Sequence, residues 1–256
     1  MERLEVELLP ALADNYVYLL RDNATGTTGV VDPALAPPVL ERLRALGRKL
    51  DWVLITHHHA DHIGGLLEVK EATGCRVVGP RADAGRIAGL DMLVGQGDTF
   101  AFGDQEVRVI ETPGHTSGHI SYFFPDGAAL FCGDTLFALG CGRLFEGDAP
   151  TMWRSLGKLA ALPDATRVYC GHEYTLSNAR FALTIDPDLA ALQQRAAEVE
   201  AARAAGRPTI PSTIGLEKAT NPFLRAADPA IRRRLGLERA SDDAVFAEIR
   251  RRKDRA

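Results

Sequence analysis

The segment THHHADHIGG, residues 56 to 65, sets four imidazoles and a carboxylate within the seven residues from Thr56 to His62, in a chain that has seven histidines altogether. Neutral imidazole is the commonest protein ligand for borderline divalent metals, and carboxylates complete such sites. The residue types therefore point to metal binding rather than to a solvated polar loop. The other histidines fall in two more short segments, His115 and His119 in ETPGHTSGH and His172 in VYCGH. Each segment follows a β-rich run, and Asp134 in LFCGD ends another. Histidines scattered over a solvated surface would not cluster in this way.

A loop that keeps the alternation of the strand before it sends His57 and His59 to one side and His58 to the other. Asp61 and His62 then turn back as the next helix begins, so donors gather at the carboxyl end of a strand, where α/β sites form. The donors outnumber the three or four that one tetrahedral zinc takes. His57, His59 and His115 would serve one ion and Asp61, His62 and His172 a second, with Asp134 bridging. His58 is left facing outward, and His119 is expected behind the ligands, supporting them. Asp32, in VVDP, is expected to orient a ligand in the same way.

The elements that position these residues can be read from hydrophobic periodicity. NYVYLLRD, GTTGVVDP, WVLIT, CRVVG, VRVIET, ISYFF, AALFC and RVYCG are predicted strands, with Pro125-Asp126-Gly127 turning a hairpin. Helices are predicted in LAPPVLERLRALG, with Leu40, Leu43 and Leu46 on one face, in IGGLLEVKEATG, and in TMWRSLGKLAALP up to Pro163. Strands with interspersed helices imply a layered α/β domain. Beyond about residue 173 strand signals fade. Asp186-Pro187 is expected to cap a helix running to about Ala205, with Leu189, Leu192, Ala196 and Val199 on its buried face. After a Pro/Thr/Ser loop, more helix is expected from Pro229 to the end.

The chain has 256 residues, 46% hydrophobic and 25% charged, enough for one large or two ordinary domains. The first residues lack a basic segment followed by an apolar run, and no stretch is long and apolar enough to span a membrane, so a cytoplasmic location is expected. Cys75, Cys132, Cys141 and Cys170 make neither a CxxC pair nor a disulfide framework and are expected to be reduced, buried thiols. The net charge of −4 argues against nucleic-acid binding, yet residues 225 to 256 hold ten Lys and Arg against six Asp and Glu. That basic tail could meet an anion.

The pattern from Thr56 to His62, with Gly114-His115-Thr116, Gly133-Asp134 and Gly171-His172, resembles the metallo-β-lactamase superfamily. Within it the chain is similar to the glyoxalase II (hydroxyacylglutathione hydrolase) family, through DNYVYLL at 14 to 20, CGRLFEG at 141 to 147, GHEYT at 171 to 175, NPFLR at 221 to 225 and RRRKD at 250 to 254. The resemblance implies a four-layer αββα sandwich over residues 1 to 173, followed by a helical substrate-binding domain over 174 to 256. It implies two divalent ions, zinc first with iron or manganese as alternatives, and a bridging hydroxide, oriented by Asp61 and Asp134, that attacks a glutathione thioester. The product pair is glutathione and a 2-hydroxy acid, D-lactate in the expected case. Arg143, Arg250 and Lys253 would grip the glycine carboxylate and nearby backbone of glutathione, with a hydrogen bond from Tyr174. Phe145 stands where some relatives carry Tyr and leaves only apolar contact. The resemblance also implies a monomer with no nucleic-acid or membrane partner.

The rival readings are weaker. A zinc β-lactamase typically places Cys where this chain has Asp134, and a one-iron dioxygenase would not require Asp61, His62 and His172. A ribonuclease would be expected to carry a basic RNA-gripping arm, which the acidic first 224 residues do not supply. Lactonase is a further rival inside the superfamily. A non-catalytic, metal-stabilised binding protein would have a metal site closed by its ligands, whereas a catalytic site keeps an open position.

Overall fold

The computed structural model describes residues 3–256. The chain divides into two compact units, one taking in the chain up to Glu111 together with Thr116–Gly133, the other Thr112–His115 together with Asp134–Ala256.

In the first unit six strands form one sheet in chain order: β1 (Leu4–Ala11), β2 (Asn15–Asp22), β3 (Thr28–Val31), β4 (Trp52–Leu54), β5 (Arg76–Pro80) and β6 (Met92–Val94). The first three are antiparallel and the last four parallel. Parallel neighbours need crossovers, supplied by α1 (Ala36–Leu46) between β3 and β4, and by α2 (Ala60–Ile63) and α3 (Leu66–Thr73) between β4 and β5. Val39 and Leu43 of α1 and Leu66 and Val69 of α3 bury against Val30, Val53 and Val77 of the sheet. The expected face of α1 is thus rotated slightly, with Leu40 and Leu46 only partly buried at its edges.

An antiparallel run follows: β7 (Thr99–Phe102), β8 (Gln105–Glu111), β9 (Ile120–Phe124) and β10 (Ala129–Gly133). On β8, Val107 and Val109 point in while Glu106 and Arg108 stay exposed, the alternation of a half-buried strand. Tyr122 on β9 is fully buried, and its hydroxyl donates to the carbonyls of Ile55 (2.8 Å) and Val78 (3.2 Å) beside β4 and β5. This ties the second layer to the strand end that leads into the histidine loop.

The second unit contains the small hairpin β11 (Leu136–Phe137) and β12 (Gly140–Cys141), then α4 (Ala149–Ala160), β13 (Arg167–Cys170), α5 (Thr175–Ile185), α6 (Ala190–Ala204), β14 (Ser212–Thr213), α7 (Ile214–Thr220), α8 (Pro229–Leu235) and α9 (Asp242–Lys253). The Asp148 carboxylate caps α4 by accepting from the Thr151 amide at 2.9 Å. Strands β13 and β14 pair antiparallel.

Three expectations need correction here. Asp186 does not cap α6, which starts after Leu189; it ends α5 instead, and its carboxylate takes the Arg225 guanidinium at 2.7 Å. The ion pair outweighs the local capping preference. The loop after α6 contains a short strand and α7, and the last helical stretch is broken after α8 by Gly236 in the left-handed region (φ +70°). The buried face of α6 is as expected, with Leu192 and Val199 buried and Leu189 and Ala196 partly so.

Glu217 on α7 is fully buried. It accepts from Arg195, Ser212 Oγ, Asn221 Nδ2 at 2.9 Å and the Leu139 amide at 2.8 Å, while Arg195 also donates to Thr220 at 2.6 Å. Removing one member of a buried ion pair strands the other charge, which costs about 3–5 kcal/mol. Glu217→Ala should accordingly lower the urea unfolding midpoint by an amount equivalent to that loss, and a change of less than about 1 kcal/mol would show that the network contributes little.

Candidate metal centre

β3 and β4 run parallel, so their carboxyl ends lie side by side, and the Asp32 amide donates to the Leu54 carbonyl at 3.0 Å. Asp32 adopts φ +49°, a left-handed conformation that Asp tolerates better than most residues. Its buried carboxylate accepts from the Thr56 amide (2.8 Å) through one oxygen and from the Thr56 hydroxyl (2.6 Å) through the other. The second oxygen also lies 3.0 Å from His62 Nδ1.

These bonds settle the imidazole tautomers. With its hydrogen given to Asp32, the Thr56 hydroxyl accepts from His57 Nδ1 at 3.0 Å, and Asp32 accepts from His62 Nδ1. Both rings are thereby left with the Nε2 lone pair as the ligating group, the usual arrangement when an outer partner fixes a metal-binding histidine. The His57 ring lies 4.1 Å from that of His62 and 4.7 Å from that of His59, centroid to centroid. Asp61 Oδ2 lies 3.6 Å from His62 Nε2. Although Asp32 is near enough to His57 and His62 to be counted among their donors, both its oxygens are already accepting, so we assign it as the orienting carboxylate.

The two remaining histidines of this unit, His58 and His119, fall in none of the donor groups among the described residues. His119 is fully buried and stacks on His57 at 4.7 Å. His58, expected to face outward, has a side chain only 14% exposed: its ring lies 4.9 Å from that of His59, Nδ1 lies 3.2 Å from the buried Asp83 carboxylate, and Arg86 reaches both His58 and Asp83. No sequence motif pointed to Asp83 or Arg86. Gly133 packs here with φ +44°, and a Cβ at this position would come within 2.4 Å of Thr56 Oγ1 and 2.8 Å of His119 Nε2.

In the second unit His115, Asp134 and His172 are each about 95% buried. Asp134 Oδ2 stands 3.4 Å from His115 Nε2 and 3.3 Å from His172 Nε2. Two donors held at about 2.0–2.1 Å by a tetrahedral ion are separated by about 3.3–3.4 Å. One carboxylate oxygen thus faces two imidazoles at ligand-edge spacing. His115 Nδ1 donates to the Arg143 carbonyl at 2.9 Å, which again leaves Nε2 to ligate. The chain passes close over this group at Gly142, where a Cβ would meet the Asp134 carbonyl oxygen at 2.0 Å. The donor chemistry and spacing fit divalent metal ions.

Sulfur plays no part among these donors. Burial pushes the Cys170 thiol up to about 12 and Cys141 up to about 11, and Cys132 is fully buried. No cysteine belongs to the His and Asp groups whose donor atoms lie within 4.8 Å of one another among the described residues.

The residues expected to hold substrate lie in the second unit. Tyr174 is partly exposed and stacks on His172 at 4.7 Å and 3°. Phe145 is 62% exposed, with its ring 5.2 Å from that of His115. The Lys253 ammonium donates to the carbonyl and hydroxyl of Ser177, and its pKa is lowered by burial and by the charges of Arg250 and Arg143. Arg143 is exposed, whereas Arg250 is buried, donating to the Cys141 carbonyl at 3.0 Å and pairing with Asp254 at 2.8 Å. Arg250 therefore holds the loop that carries Arg143 as well as adding to the local positive charge.

If Asp32 sets the orientation of Thr56 and His62, Asp32→Asn should weaken metal retention about 10- to 100-fold against a competing chelator while leaving the far-UV spectrum unchanged. Wild-type retention in that variant would remove Asp32 from the account.

Residues 13–172 match the family model of the metallo-beta-lactamase superfamily, and residues 173–256 match that of the hydroxyacylglutathione hydrolase C-terminus. The hydroxyacylglutathione hydrolase of Methylococcus capsulatus is 58% identical over 251 residues, 98% of each chain. That of Rhizobium etli is 56% identical over 254 residues, 99% of each. Among solved structures, ETHE1 from Myxococcus xanthus aligns with a TM-score of 0.69 at 28% identity, over 96% of this chain and 90% of that one. TTHA1623 in a di-iron-bound form aligns with a TM-score of 0.59 at 25% identity, over 86% of this chain and 100% of that one. With histidine and aspartate donors at the expected strand ends and matches along its whole length, the chain belongs to the hydroxyacylglutathione hydrolase family of the metallo-beta-lactamase superfamily.

Proposed function

We propose that the chain hydrolyses S-(2-hydroxyacyl)glutathione, with S-D-lactoylglutathione as the main substrate, to glutathione and D-lactate, the last step of methylglyoxal detoxification. The observation that carries this reading is family membership over 98–99% of the chain by relatives named hydroxyacylglutathione hydrolase. In this reading residues 1 to 173 supply the chemistry and residues 174 to 256 the grip on glutathione. The reaction takes place in the cytoplasm on a monomeric enzyme. Among the described residues no helix is long and apolar enough to cross a membrane.

His57, His59 and His115 would hold one divalent ion and Asp61, His62 and His172 another, with Asp134 shared. The placing of Asp134 Oδ2 within 3.4 Å of both His115 and His172 supports the sharing, as does the di-iron form of the similar TTHA1623 chain. The nitrogen and oxygen donors suit zinc, iron or manganese. When bound, such ions polarise a carbonyl and bring the pKa of water toward neutrality.

The protein's own groups then account for the rest. Asp61 and Asp134 keep the attacking water's oxygen directed at the thioester carbon. The departing glutathione thiolate has a conjugate-acid pKa of about 8.5 and needs little proton assistance, so no side chain has to act as a general acid. Lys253, Arg143 and Arg250 attract the glycine carboxylate, the Tyr174 hydroxyl donates to the glutathione backbone, and Phe145 offers an apolar face.

The test is turnover of S-D-lactoylglutathione beside a simple acyl thioester without glutathione. A large preference for the former is expected, and equal turnover would remove the glutathione grip. Asp134→Ala should lose most of kcat together with bound metal; near-normal turnover at full metal content would end the shared-ligand assignment. Lys253→Ala should raise KM by about tenfold or more with a smaller change in kcat, since it removes binding remote from the reacting carbon. Arg250→Ala should raise KM and also lower thermal stability, because its buried bond to Cys141 goes with it. An unchanged KM in both variants would leave these residues as structure alone.

A further inference from the structure

The turn between β1 and β2 spans only Leu12, Ala13 and Asp14, with Leu12 at φ +51° and Ala11 paired to Asn15. This tight turn fixes Asn15 at the start of β2, where the residue is 5% exposed. Its Nδ2 donates to the Asp61 carbonyl at 3.1 Å and to Asp61 Oδ2 at 3.0 Å. Both partners are acceptors, so the carboxamide must present its NH2 to them and its orientation is unambiguous.

Asp61 needs such a partner. It sits in the first turn of a four-residue helix, with a side chain 40% exposed. A short helix has little stability of its own, and an exposed carboxylate turns readily among rotamers. Its Oδ2 must nevertheless stay beside His62 Nε2, 3.6 Å away. A clamp that grips main chain and side chain together fixes both the helix turn and the carboxylate.

The chemical type of the clamp matters as well. A Lys or Arg in the place of Asn15 would hold the carboxylate but cancel the charge that attracts a cation. An Asp would repel it. A carboxamide is neutral and donates two hydrogens from one nitrogen, so it orients Asp61 and leaves its full negative charge for the ion.

We infer that Asn15 is a positioning residue for the second metal ion, acting through Asp61. This rests on the reading in which Asp61, His62 and His172 hold that ion, and it gives Asn15, in the DNYVYLL segment, a role that the family likeness of that segment did not specify. Asn15 touches neither substrate nor ion in this account.

The test uses the zinc-loaded full chain challenged with rising chelator, counting the zinc retained. Wild type should release two zinc ions per chain in resolvable steps. In Asn15→Ala one ion should leave at about 10- to 100-fold lower chelator, with the other unchanged. In an Asp61→Ala background the same substitution should add nothing, the non-additivity expected when one residue acts through another. Asn15→Ser, which disturbs the β1–β2 turn least, serves as a second variant should the alanine protein fold poorly, with the urea midpoint read alongside. Release at wild-type chelator concentrations, equal weakening of both ions, or an undiminished effect without Asp61 would each overturn the inference. A wild-type chain that retains a single zinc would instead overturn the two-ion reading itself, and the inference with it.

Discussion

The Asp32 carboxylate accepts from the Thr56 amide, the Thr56 hydroxyl and the His62 ring, and the order of the histidine loop depends on it. Through Thr56 it also sets the tautomer of His57, so a single buried anion aims two Nε2 lone pairs. A carboxylate with this little solvent contact stays favourable only while it is fully hydrogen-bonded. The loop that satisfies it is therefore held in one conformation. The parallel pairing of β3 and β4 makes this possible, since it brings the end of one strand beside the end of the next.

The same device recurs on a smaller scale at other donors. The Arg143 carbonyl takes Nδ1 of His115, Tyr174 stacks on His172, and Asn15 clamps Asp61. In each case an outer group removes a rotational or tautomeric choice from a candidate donor side chain. Metal sites lose affinity steeply when such partners are removed, and this explains why so many buried polar residues gather at these strand ends rather than apolar ones.

The grouping of the candidate donors was legible in the sequence because their chemistry is written in residue type and spacing: four imidazoles after a buried strand admit few bland explanations. The strands carrying them were legible for a related reason, each being an apolar run closed by a turn. What escaped was set by tertiary pairing. Asp83 lies in a stretch with no motif, and Asn15 lies in DNYVYLL, a segment that carries family likeness and strand pattern but assigns the residue no role; both are placed by hydrogen bonds to residues 25 and 46 positions away. Arg195 and Glu217 form a buried pair that nothing in the sequence pattern marks. Arg250 was legible as a positive group beside the substrate residues but not as a buried support for the Cys141 loop. Asp186 shows local preference losing to a distant partner, as Arg225 draws it away from the cap that its neighbour Pro187 suggested. β1 is a strand the predicted set lacks: Leu4, Val6 and Leu8 alternate with Glu5 and Glu7, and the Pro10 that follows is one an edge strand tolerates.

On the proposed reading, one oxygen of Asp134 is shared between two ions, one on the His115 side and one on the His172 side. An anomalous difference map from crystals of the zinc-loaded protein tests it most directly. Two peaks are expected, each about 2.0–2.2 Å from the same Asp134 oxygen, Oδ2. A single peak, or two peaks with one bound to a cysteine sulfur instead, would contradict it.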